Sequence, residues 1–110
     1  MVLPSTPLIV TRLSEAPRVA EAGEIARSLA QTFELSGLRL RLVEYEAGYL
    51  ADHWCDRGHV LHVVDGELTL ELRDGRSIAL RKGDCFVVSD HGDASHRIRT
   101  ASGGKALIVD

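Results

Sequence analysis

From Gly37 onward the chain keeps a period of two, and that alternation restricts the fold more than any other feature. In "LRLRLVEYEAG", Leu38, Leu40 and Leu42 alternate with Arg39 and Arg41. This is the pattern of a half-buried strand, because successive side chains of a strand point to opposite faces. "HVLHVV", residues 59–64, is a short β-branched run, and Asp65-Gly66 separates it from "ELTLEL". There Leu68, Leu70 and Leu72 alternate with Glu67, Thr69 and Glu71. Asp-Gly between two strand patterns predicts a two-residue hairpin, since both central residues of a type I′ turn need positive φ. Asp74-Gly75 leads into "RSIAL", Lys82-Gly83-Asp84 precedes "CFVV", and "SHRIRT" and "KALIVD" read as the last two strands. Short strands at this spacing predict an all-β sandwich or barrel.

The first third is different. "PRVAEAGEIARSLAQTFEL" is rich in helix formers, with Ala22, Ile25 and Leu29 on one helical face, although Gly23 interrupts it. On propensity a helix leads there. At 110 residues the chain suits one domain with a modest core. Its apolar fraction of 45% and charged fraction of 26% are those of a folded globule. A net charge of −3 with scattered basic residues excludes a nucleic-acid face. No apolar run is long enough to cross a bilayer. "MVLPSTPLIVTRL" lacks a basic leader region, and Pro4 and Pro7 cut its apolar run, so it does not read as a signal peptide. A cytoplasmic chain is expected, with Cys55 and Cys85 as free thiols.

"DHWCDRGH", Asp52 to His59, places two of five histidines and one of two cysteines within eight residues. On a strand, His53 and Cys55 would share a face. Asp56-Arg57-Gly58 can then turn the chain so that His59 opens the next strand, facing the core with Leu61 and Val63. His96, at the start of a later strand, is the best fourth donor. Imidazole and thiolate together suit Zn²⁺, with iron, nickel or copper compatible. Asp52 is placed to orient a ligand histidine. The blander readings are a hydrogen-bonded histidine and a small buried cysteine. Cys85 is expected to pack in the core, His91 to sit in an exposed loop, His62 to lie at the surface or an interface, and Trp54 to cover apolar surface.

These residues resemble the cupin superfamily. Gly48 is followed by His53-x-Cys55, three residues, His59, six residues and Gly66; the spacing from His53 to Gly66 is that of the first cupin motif, and the Gly48 spacer is one residue short. Cys55 stands where a second His is usual, and His59 where Glu is usual. In the second motif Gly83 is followed by "DCFVV", Ser89 replaces Pro, and His96 falls two residues late. "VEYEAGYLADHWCDRGHV", "GELTLELRDGR" and "ALIVD" are similar to the small DHCW-motif cupins. The likeness spans Gly37–Asp110. It implies a cupin-type double-stranded β-barrel, a jelly-roll sandwich, with the metal inside one end. Residues 1–36 would be an extension packing on the barrel or a partner, with Glu24–Phe33 an extended strand.

The metal set implied is His53, Cys55, His59 and His96, with zinc first and iron or nickel as alternatives. The fold hosts isomerases, dioxygenases, sugar-binding regulators and storage proteins, so fold alone does not assign a role. Two functional classes lead. One is a metal-dependent enzyme on a small molecule. The other is a non-catalytic module that binds or senses a small ligand, favoured by the lack of an evident general acid unless Glu44 or Glu46 bends inward. A metal-free structural protein is a third. Tyr45, Tyr49, Trp54 and Phe86 are candidates to line a pocket. The strip of Val60, His62 and Val64, together with "PLIV", predicts a homodimer.

Overall fold

The computed structural model describes residue 3 and residues 5–110. It contains a 3-10 turn at Leu13–Glu15 and eight strands. These are β1 (Val19–Ala22), β2 (Arg27–Leu35), β3 (Leu38–Tyr45), β4 (His59–Leu72), β5 (Ser77–Arg81), β6 (Cys85–Val88), β7 (His96–Arg99) and β8 (Gly104–Val109). All pairings are antiparallel, as in a jelly-roll sandwich. Among the described residues no helix is long and apolar enough to cross a membrane.

β4 organises the molecule. Its first half pairs with β6 and β8, and its second half with β5 and β7. The expected hairpin at Asp65-Gly66 is instead a corner within this one strand. The β4–β8 register shifts between Val63 and Asp65, and Gly66 has φ 72°. The inward residues change parity across the shift, from Leu61 and Val63 to Leu68, Leu70 and Leu72. An inserted bulge residue does this to any strand, and in sequence it mimics the break between two strands. A Cβ on Gly66 would lie 2.5 Å from the Gly103 carbonyl oxygen, so the corner requires glycine on both counts. Asp74-Gly75, by contrast, does form a turn between β4 and β5, closed by the Gly75 N–H on the Leu72 carbonyl at 3.0 Å.

The helix-forming stretch is not helical but forms two strands, β1 and β2, broken at residues 23–26, where Ala26 has φ 59°. β2 pairs with β3 in unbroken register from Ser28–Tyr45 to Leu35–Leu38. Tertiary pairing overrides propensity there. β3 then shows which of its faces is internal. Val43 and Tyr45 are buried, so alternation turns Arg39 and Arg41 inward and Leu38, Leu40 and Leu42 outward. The outer leucines are half-buried, and the 3-10 turn lies against β2 and β3 on that side. Gln31 secures it by donating to the Ser14 and Ala16 carbonyls at 3.0 and 2.9 Å. The core is built from Val43, Leu61, Val63, Leu68, Ala106 and Ile108 with their neighbours.

Candidate metal centre

Residues 49–55 run antiparallel to β7 without forming a regular strand. Isolated bridges join Leu50 to Arg99 and Cys55 to His96. Five residue steps on one side (50 to 55) thus face three on the other (99 to 96), and two surplus residues bulge out. The alternation on which a shared face for His53 and Cys55 rested does not run through this segment. The His53 side chain is 76% exposed, with its Nδ1 2.7 Å from Asp52 Oδ1. Cys55 is drawn back to β7 by two backbone hydrogen bonds with His96. The Cys55 N–H donates to the His96 carbonyl at 2.7 Å, and the His96 N–H to the Cys55 carbonyl at 2.9 Å.

Cys55, His59 and His96 converge, with one donor atom from each all within 4.8 Å of one another. Cys55 Sγ is 3.5 Å from His59 Nε2. The His59 and His96 rings meet edge to face at 5.1 Å, and Phe86 packs against His96 at 5.8 Å. The Arg57 backbone N–H donates to Cys55 Sγ at 3.4 Å. Burial lowers the pKa of both histidines. At His59 the Asp110 charge opposes this and His96 adds to it, and at His96 the Asp56 charge opposes it. Neutral imidazoles are what a metal requires.

One atom tests whether a cation suits the group. His96 Nε2 is buried and has no hydrogen-bond partner among the described residues. Two other buried nitrogens share that condition, Arg41 Nε and Arg97 Nε, but each belongs to a guanidinium paired through another nitrogen. Of the three side chains, only that of His96 belongs to a group of thiol and imidazole donors. Buried polar atoms are rarely left unpaired, and a metal ion would satisfy this one.

Asp110, absent from the expected set, completes the surroundings. Its side chain is 2% exposed. It accepts from His59 Nδ1 at 3.1 Å, from Arg39 at 3.0 and 2.8 Å, and from Arg41 at 3.2 Å. Burial alone would raise its pKa, but the hydrogen bonds from Arg39 and the charges of Arg41, Arg39 and His59 bring it down to about 2. An ionised Asp110 fixes the proton of His59 on Nδ1 and leaves Nε2 free toward Cys55. The sequence did carry a signal: Ala106 and Ile108 face inward, so Asp110 is an acid at the next inward position.

The other candidates fall outside this group. Glu44 pairs with Arg18 on the outer face, and Glu46 is held by Arg27. Tyr45 is buried in the core against Tyr49, with ring centroids 4.9 Å apart. Trp54 lies 4.3 Å from the Arg97 guanidinium. His91 is exposed with φ 51°. Cys85, expected in the core, is exposed, because β6 turns Phe86 and Val88 inward and Cys85 outward, where it meets His62. A groove of about 950 Å³, lined in part by Arg57, Val88 and His91, has His59 and Asp110 in its wall.

No protein-family model and no curated protein matches the chain. Solved structures do match in fold. A cupin-2 domain protein from Shewanella frigidimarina is 21% identical, with TM-score 0.59, over 74% of this chain and 78% of its own. A sugar phosphate isomerase of a cupin superfamily from Silicibacter pomeroyi is 18% identical, with TM-score 0.70, over 92% and 74%. An Fe(II)-bound HppE is 15% identical, with TM-score 0.72, over 94% of this chain but only 60% of its own. The antiparallel jelly roll is the architecture that these neighbours, two of them named as cupins, share with it, and the chain has the cupin fold.

Proposed function

We propose that this cupin-fold chain binds a divalent transition metal through Cys55, His59 and His96, and that the groove beside His59 admits a small molecule to it. The observation that carries this is that His96, one of three clustered soft and borderline donors, has a buried ring nitrogen without a hydrogen-bond partner among the described residues. One thiolate and two imidazoles favour zinc, and iron and nickel remain compatible. Three protein ligands leave a position open, the arrangement of catalytic rather than structural zinc. His53 would close that position only if residues 51–54 refolded toward the centre. A metal held by Cys55, His59 and His96 would supply Lewis-acid chemistry. The chain's own residues do the rest. Asp110 orients His59, the Arg57 N–H holds the Cys55 sulfur in place, and Phe86 covers the His96 side.

The pairing of Glu44 with Arg18 and of Glu46 with Arg27 favours a second reading, in which the centre binds or senses its ligand without turnover. A homodimer belongs to the same proposal. Leu8 and Val10, 95% and 75% exposed, lie in an apolar segment without a strand partner among the described residues. A second copy would cover it. Sedimentation that shows only monomer at micromolar concentration would remove the dimer.

The test of the metal reading is Co²⁺ substitution of the metal-free chain. A thiolate-to-cobalt charge-transfer band is expected, with ligand-field bands that shift when azide or cyanide is added. A band with no anion response means a closed site and supports the binding-module reading. No charge-transfer band means that Cys55 is not a ligand, and the proposal fails.

A further inference from the structure

β4 carries a second thiol–imidazole pair, on the face opposite the metal centre. His62 and Cys85 are register partners across β4 and β6, and His62 Nδ1 lies 2.9 Å from Cys85 Sγ. Cys85 is exposed, whereas Cys55 is half-buried and held between His59 and the Arg57 N–H. Among the named strands β6 pairs with β4 alone, so Cys85 sits on an edge strand. Its outward neighbour two residues on, Val87, is 75% exposed, which leaves the approach to Sγ open. A nucleophilic thiol within hydrogen-bond reach of a base, and accessible from solvent, is the arrangement of reactive cysteines. A packing cysteine would be buried instead.

We infer that Cys85 is a modification site, a thiol that His62 readies for exchange with low-molecular-weight disulfides. His62 Nδ1 takes the Sγ proton, leaving thiolate and imidazolium. The thiolate attacks one sulfur of the disulfide; the new Sγ–S bond forms as the old S–S bond breaks. The departing thiolate collects the proton from His62. One disulfide is exchanged for another and no oxidant is consumed. Cys55 is half-buried, and coordination to a metal would lower the nucleophilicity of its sulfur.

The experiment treats the metal-loaded full chain with 4,4′-dithiodipyridine at pH 7, with release of the pyridine thione followed in time and the adduct located by peptide mass mapping. The first adduct is expected on Cys85. Cys85→Ser should abolish the fast phase, and His62→Gln should slow it tenfold or more. Metal content and melting temperature should stay as in the parent in both variants. Adduct formation first on Cys55, or a rate in His62→Gln equal to the parent's, would overturn the inference.

Discussion

On each face of β4 a histidine meets a cysteine from another segment, and the two pairs differ in everything but composition. Inside, His59 has both ring nitrogens engaged, Nδ1 by Asp110 and Nε2 by Cys55, and a third donor, His96, stands beside them with a nitrogen unpaired. Outside, His62 and Cys85 have each other, and no third donor of this kind joins them among the described residues. Burial makes the difference chemical. Inside, it keeps the imidazoles neutral and makes an unpaired polar atom costly, which favours a bound cation. Outside, water can solvate either partner, so the pair is free to react. Thiol and imidazole therefore mean a ligand set or a nucleophile according to what lies behind them.

The largest effect expected from perturbing this contrast is on the inner side. Cys55→Ser and His96→Ala should each lower metal affinity by more than the roughly 10–100-fold typical of losing an outer partner, as read by competition with a chelating dye. The same variants should lose the metal-dependent rise in stability, which for the parent is about 2.7 kcal/mol at a free metal concentration of 100 times Kd. Next is Asp110→Asn, which keeps an acceptor but removes the charge. It should cost about 10–100-fold in affinity while the chain stays folded. A loss as large as that of Cys55→Ser would make Asp110 a ligand rather than a support for one.

The pH dependence of the metal-free chain comes third. His59 and His96 have lowered pKa values in the folded state, so below about 6.5 the unfolded chain binds more protons than the folded one. Their contribution to stability is full above that pH and is lost as the pH falls toward the lowered values. Asp110 adds a second loss, from its ordinary range near 3.8 down to about 2. Urea midpoints measured from pH 7.5 to pH 5 should fall. A flat or rising series would mean that the inner imidazoles are not held neutral by burial. The smallest expected effects, within about twofold in metal affinity, are from His53→Ala and Cys85→Ser, whose side chains are exposed surface positions. A large loss in His53→Ala would bring His53 into the ligand set.

Much of this contrast was legible in the sequence, and where it was not there is a physical reason. His59 and Leu61 reading as one face, and the strand pattern after Gly37, followed from alternation alone. The corner at Gly66 did not, because a bulge and a hairpin both reverse the parity of apolar residues. The inward turn of Arg39 and Arg41 was hidden for a related reason. Leucines alternating with arginines read as core against solvent, yet Asp110 pairs the arginines inside and the 3-10 turn lies on the leucine side. The exposed place of His53 follows from two surplus residues between paired positions, which no local pattern announces. The Asp110–His59 contact joins residues 51 apart, and only the inward parity of β8 hinted at it. Cys85 was misread because a short apolar run, "CFVV", looks wholly buried, although its strand alternates and has one face open.

The most direct test of the central claim is X-ray absorption at the zinc edge of the zinc-loaded chain. The account predicts one sulfur and two imidazoles in the first coordination sphere, completed by a light atom from solvent, and the sulfur gone in Cys55→Ser but kept in Cys85→Ser. A shell of nitrogen and oxygen alone, or a sulfur that survives Cys55→Ser, would contradict it.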